Sequence, residues 1–330
     1  MKFRIGFDSS DKEKLFQYWD EILENHVWSY SEGKFLRMFE EKWSEYVGAS
    51  AVAVSNWSRA AEIILQYYGV GKGSVVACPS NTFMATPLSI LHADARVQFI
   101  DCNRYDLCLS FEHLKEQARE QKPDAVYVVH IGGHIAFEIE KIAQWCKEND
   151  IILIEDCAQA HGAQWNGKKA GTWGDVGIYS FYSTKTISTG EGSMIVSHNR
   201  ALIDYVREYR DYGKPEYRIS GQNARLSEFA AALGCVEVDR LPDIVEWKNE
   251  YAEKHLDPRF WSSKLNLPAG MTSGLYKYIV FEQIENSTGR VYDQPCHRIL
   301  TFEDTVRLPN TDWVSKNHSC VPLFYKGAEL

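Results

Sequence analysis

The sequence predicts an α/β protein: a mostly parallel sheet of seven strands flanked by helices, followed by a smaller α+β domain. Two observations carry this. Between about residues 50 and 200, short β-rich runs alternate with stretches of helical period. Strands that are apolar along their whole length belong to parallel sheets covered on both faces. After residue 200 the pattern changes to longer helices and then to loop-rich sequence punctuated by Pro295, Pro309 and Pro322.

Seven runs read as strands: Ala51–Ser55, Val75–Cys78, Val97–Asp101, Ala125–His130, Ile151–Glu155, Val176–Phe181 and Ser193–Ser197. Between most of them lie helical stretches at Ala60–Tyr68, Met84–His92, Phe111–Glu120 and Ile139–Asn149. In the last of these, Ile139, Ile142, Ala143 and Cys146 share one face. Ala201–Asp211 and Leu226–Arg240 continue as helices. Proline disfavours the helical conformation of the residue before it, so Leu241-Pro242 is expected to end or bend the second of these. Pro242 would then open another helix reaching about His255. Tyr276–Phe281 reads as a strand. The expected division is a large domain over 1–235 and a small one over 236–330, packed closely because no flexible linker separates them.

Composition narrows the function. The 330 residues are 45% hydrophobic and 25% charged, which excludes wholesale disorder. Acids outnumber bases by 45 to 36, a net charge of -9 that disfavours a nucleic-acid surface. No apolar run reaches the ~18 residues of a membrane span. MKFRIGFDSSDKEK has no apolar core of a secretory signal, and the eight cysteines are scattered without CxxC or zinc spacing. The expectation is a cytoplasmic protein with reduced cysteines and no metal site.

Chemistry concentrates in Ile151–Ser193. The run IILIE ends at Asp156, and the carboxyl ends of parallel strands face the crevice where α/β proteins bind ligands. A further strand delivers Lys185 into a loop rich in Ser, Thr and Gly. A deprotonated lysine there can form a Schiff base with a carbonyl, and an acid opposite can hold a protonated ring nitrogen. Together they form the pair that pyridoxal phosphate (PLP) requires. Taken singly, Lys185 reads as a solvated loop lysine and Asp156 as the cap of a helix over CAQAHG.

Beyond this pair, the sequence resembles the DegT/DnrJ/EryC1/StrS family of PLP-dependent sugar aminotransferases, proteins of fold type I. The segments that carry the likeness are ordered along most of the chain: FLRMFEEKWSEYVGAS, SNWSRAAEIIL, VACPSNTFMAT, VVHIGG, IEDCAQAHGA, GDVGIYSFYSTKTISTGEGSMI and QNARLSEFAAALG. The resemblance implies that Lys185 carries the cofactor as a Schiff base and shuttles a proton during turnover. It implies that Asp156 pairs with the pyridinium nitrogen, that Gln159 lies beside the ring and its hydroxyl, and that Phe83 stacks on the ring. A core aromatic at a helix start is the alternative for Phe83. Phosphate contacts fall to Ser58, the backbone NH of Arg59 and Ser180. Asn223 would cross to the phosphate from a partner subunit, making a homodimer with shared sites, or else be a turn residue before a helix. His161, Tyr182, Glu191 and Asn81 are nearby in sequence but receive no defined role.

Two departures stand out. The small Gly-Thr pair usual after SN is Trp57-Ser58 here, so Trp57 is expected to point away from the phosphate or the loop to be shifted. The chain also ends at CVPLFYKGAEL, where the family generally continues through another helix, and the likeness is loose from 257 onward.

The resulting expectation is an aminotransferase in which L-glutamate or L-glutamine converts PLP to its amino form, PMP, which then aminates a ketosugar linked to a nucleoside diphosphate. Arg218, Arg225 and Lys277 are candidates for the diphosphate, and a surface polysaccharide is one destination of such sugars. A PMP-dependent sugar dehydratase is the runner-up, disfavoured because that group replaces the lysine. A PLP-binding regulatory or inactive relative is the alternative outside enzymology.

Overall fold

The computed structural model describes residues 6–29, 33–299 and 306–326. The first five residues of the N-terminal segment read above, and the last four of the C-terminal one, lie outside that range. Two helices that the strand–helix alternation does not announce come first: α1 (Ser9–Asn25) and α2 (Lys34–Val47). Then follow β1 (Ser50–Val54), α3 (Trp57–Tyr67), β2 (Val75–Pro79), α4 (Ala85–His92), β3 (Arg96–Ile100), α5 (Phe111–Glu120), β4 (Ala125–Val129), α6 (Ile139–Glu148) and β5 (Ile152–Asp156). Two short strands, β6 (Gln164–Trp165) and β7 (Lys168–Lys169), precede β8 (Val176–Ser180), β9 (Ser193–Ser197), α7 (Arg200–Tyr209) and α8 (Glu228–Tyr251). The remainder holds β10 (Met271–Thr272), β11 (Tyr278–Val280), α9 (Pro309–Val314) and β12 (Ser319–Val321).

The expected seven-stranded sheet forms in the order β1-β9-β8-β5-β4-β2-β3. Only β9 runs against its neighbours; β8, β5, β4, β2 and β3 pair in parallel. Side-chain alternation sends each strand's apolar residues to two cores. Ala53, Ala77, Val126, Val128, Leu153 and Met194 meet α2, α5, α6 and α8 on one face. Val52, Val54, Val76, Tyr127, Ile154 and Ile195 meet α3, α4 and α7 on the other. Burial on both sides is the reason these strands read as continuous apolar runs.

Leu241-Pro242 does not end the helix. The end expected there, with a new helix opening at Pro242, is overturned: α8 runs from Glu228 to Tyr251 with Pro242 inside it, and a π-helix over Ala252–Leu256 follows. Pro242 lies on the exposed side, while Leu241 and Ile244 pack into the core shared with α2. One lost hydrogen bond is outweighed by that packed stripe. The helix passes through position 236 without interruption.

The C-terminal part gathers Leu256, Phe260, Tyr278, Val280, Val321 and Leu323 into a separate small core around the antiparallel β11–β12 pair. It then crosses back to the large sheet. Cys296 N donates to Ser80 O at 3.0 Å, and the His297 ring and amide both meet the Ser80 hydroxyl, at 2.7 and 3.0 Å. All eight cysteines are buried and unpaired. Among the described residues no helix is long and apolar enough to cross a membrane.

Candidate active site

Asp156 and Lys185 converge at the carboxyl ends of β5 and β8. Asp156 terminates β5 and is buried; Lys185 follows β8 in the connection to β9, where its backbone N donates to Tyr182 O at 2.9 Å. Burial pushes the Lys185 ammonium down to about 8, against the pull of Asp156 and with help from the like charge of Lys277. Burial pushes the Asp156 carboxyl up, opposed first by the Ala158 N–H and then by Lys185. Each group is thus held in its buried place by the other. Tyr276 lies between two cations: Lys185 Nζ is 5.5 Å and Lys277 Nζ 5.4 Å from its ring centroid.

No helix follows Asp156. Residues 157–162 form turns, so the reading of Asp156 as a helix cap gives way to a local turn in which Ala158 N donates to Oδ1 at 3.0 Å. Oδ1 also accepts from the Trp57 indole at 3.1 Å, and Oδ2 from the Thr86 hydroxyl at 3.3 Å. Gln159 is buried beside the acid: its Oε1 accepts from Gly132 N at 2.7 Å, and its Nε2 donates to the Tyr292 hydroxyl at 2.9 Å.

Phe83 is 65% exposed ahead of α4, which removes the core-aromatic alternative and leaves its ring free to cover a ligand. Ser180 is buried at the end of β8. Ser58 is exposed in the first turn of α3, while the Arg59 amide already donates to the cap residue Asn56 at 3.0 Å and its guanidinium pairs with Glu62 at 2.8 Å. An anion using the Arg59 amide would have to share it with that cap. At the departure, α3 begins at Trp57 with Asn56 as its cap, and the indole turns inward, beside Tyr127.

Asn223 is exposed and paired across an isolated bridge with Asp211, in a segment that also exposes Tyr212 and Tyr217. His161 is fully buried among Trp43, Tyr179 and Phe181, where burial pushes its pKa down to about 3. Asn81 is buried and donates to Leu107 O at 2.9 Å. Tyr182 and Glu191 are exposed. Of the three cations suggested for a diphosphate, only Lys277 lies near Lys185; Arg218 is exposed on the Asn223 segment and Arg225 pairs with Asp211.

His130, Glu155 and Cys157 cluster closely enough to suggest a metal. Glu155 is already saturated, however, by the amides of Gly171, Trp173 and Gly174 and by His130 Nε2 at 2.9 Å, while Ala136 N donates to His130 Nδ1. The cluster braces the turn after β5. A cleft of about 1060 Å³ between α2, β1 and α7 includes neither Asp156 nor Lys185.

Sequence reasoning missed Tyr276 and Tyr292. Each lies in the loosely matching C-terminal region, and no local motif marks them. The donor set as a whole suits PLP: a buried acid with one oxygen lightly engaged, a lysine that is substantially neutral near pH 8, an amide at the side and an exposed aromatic ring.

Comparison with known proteins agrees. A structure of a DegT DnrJ EryC1 StrS aminotransferase from Brucella abortus superposes with a TM-score of 0.89 at 23% identity, covering 97% of this chain and 93% of that one. The fold is thus that of PLP aminotransferases. The model of the DegT/DnrJ/EryC1/StrS aminotransferase family matches residues 9–260, and the chain belongs to that family. GDP-perosamine synthase of Escherichia coli O157:H7 is 32% identical over 259 residues, 77% of this chain and 70% of that protein. Its counterpart from Vibrio cholerae is 33% identical over 232 residues, 68% of this chain and 63% of that protein.

Proposed function

We propose that the protein is a PLP-dependent aminotransferase that moves an amino group from L-glutamate or L-glutamine to a keto group of a nucleotide-linked sugar, in a ping-pong cycle. The observation that carries this reading is the Lys185 amine, lowered to about 8, facing the buried Asp156 carboxylate at the ends of two sheet strands. Family membership and the nucleotide-sugar names of the relatives support the substrate class.

PLP bound at this site would supply an electron sink and a carrier for the amino group. Lys185 would hold the cofactor through its Nζ and, when free of it, would serve as the group that takes up and returns a proton at that nitrogen. A pKa near 8 leaves a useful fraction of neutral amine at physiological pH, the condition for attack and for proton transfer in both directions. Asp156 would hold the protonated ring nitrogen through its carboxylate, an electrostatic partner already in place before reaction. Gln159 would lie at the ring edge, Phe83 would cover its face, and Ser58, the Arg59 amide and Ser180 would hold the phosphate. Asn223 of the partner subunit would complete that cradle, so we infer a homodimer. Lys277, beside Lys185, is the cation placed to meet an anionic group of either substrate.

An absorption spectrum of purified protein, before and after L-glutamate, tests the proposal. A visible band that shifts on adding glutamate, and that Lys185→Ala lacks, is the expected result. A band that ignores both glutamate and glutamine would instead favour a binding-only relative.

A further inference from the structure

Trp57 stands where the family resemblance places a residue without a side chain, and its indole is put to use. The ring leaves the first turn of α3, is 8% exposed, and lies 6.3 Å from the Tyr127 ring of β4. Its Nε1–H donates to Asp156 Oδ1 at 3.1 Å, the same oxygen that accepts from Ala158 N at 3.0 Å. Among the described residues the other oxygen meets only the Thr86 hydroxyl, at 3.3 Å, and that hydroxyl is shared with Thr82 at 2.9 Å.

A carboxylate offers about four acceptor positions on its two oxygens. Two N–H donors from separate segments on one oxygen resist rotation of the group, because turning it breaks both bonds at once. They leave the second oxygen with acceptor capacity in a buried place, where an unmet acceptor is costly. If the indole were replacing a ligand at the acid, it would be expected to engage the oxygen that the backbone leaves open. It doubles the one already held.

We propose that Trp57 is a positioning residue for Asp156: together with the Ala158 amide it clamps Oδ1, so that Oδ2 is presented to the protonated ring nitrogen of the cofactor. The proposal rests on the PLP-dependent function proposed above.

The test compares wild type, Trp57→Phe, Asp156→Asn and the double variant. It uses PLP as the probe, with melting of each apoprotein as a check on folding. Trp57→Phe keeps an aromatic ring in the core while removing the N–H donor and part of the indole's volume, which the double-variant comparison separates from the donor's role. It should weaken PLP binding roughly tenfold, the effect of one hydrogen bond to a charged group. It should also move the pH midpoint of the bound cofactor's visible band upward, since a ring nitrogen less firmly protonated withdraws less charge from the lysine-linked end. In the Asp156→Asn background the same substitution should cost little more, the signature of a coupled pair. Equal losses in both backgrounds would reduce Trp57 to packing and overturn the proposal, as would an unchanged affinity and midpoint. Tighter binding by Trp57→Phe would overturn it too, showing that the indole competes for the acid. A wild type that takes up no PLP would instead bring down the functional reading on which the proposal stands.

Discussion

Lys185 sits between an acid that favours its charge and a burial and a second lysine that oppose it, and the balance leaves it near 8. Cofactor uptake by the apoprotein needs the neutral amine. Its rate should therefore climb with pH, by about tenfold per unit well below the midpoint, and level off above pH 8. Stopped-flow absorbance on adding PLP measures this directly. Lys277→Met removes the like charge, so the inflection should move up, toward the ordinary lysine value, without losing the band. At this scale the sequence marked out Asp156 and Lys185, because the first ends and the second follows a strand that is legible from its apolar run. It did not disclose the direction of the Trp57 indole. Nor did it disclose Tyr292, whose hydroxyl reaches Gln159 from 133 positions away in the chain.

Helix ends and interiors show how one element completes another. α2 begins at Gly33 with no side-chain cap of its own. Its Phe35 and Leu36 amides donate instead to the buried carboxylate of Glu228 at the start of α8, both at 2.9 Å. A Cβ on Gly33 would come within 2.1 Å of Glu228 Oε1, which explains glycine at that position. Glu228→Ala strands two buried donors and the positive end of the α2 dipole, and should cost about 3 kcal/mol in denaturant unfolding. Pro242 makes the opposite prediction. Exposed in the middle of α8, it forfeits one backbone bond without supplying packing. Pro242→Ala should raise stability by roughly 1–3 kcal/mol in the same assay. The local rule that proline breaks a helix was sound as a propensity; tertiary burial of Leu241 and Ile244 overrode it.

For the whole molecule, the sites are expected to be shared between two subunits. Mixed dimers of Lys185→Ala and Asn223→Ala chains each contain one site with both residues intact. Co-refolded in equal amounts, they should recover roughly a quarter of wild-type turnover, while each variant alone stays inactive. Recovery of nothing would mean that Asn223 serves its own chain. The alternation of apolar runs and helical periods determined the α/β class and the seven strands, with the acid at the end of one and the lysine in the loop after another. These follow from the chain itself, because periodicity and burial on two faces are written into consecutive residues. The tertiary structure alone decided that α8 passes through Pro242, that Glu228 caps α2, that the segment around His297 returns to Ser80, and that Trp57 and Tyr292 reach Asp156 and Gln159. Those are contacts between residues far apart in sequence. Their energies come from packing and from satisfying buried polar groups, and neither is fixed until distant segments meet.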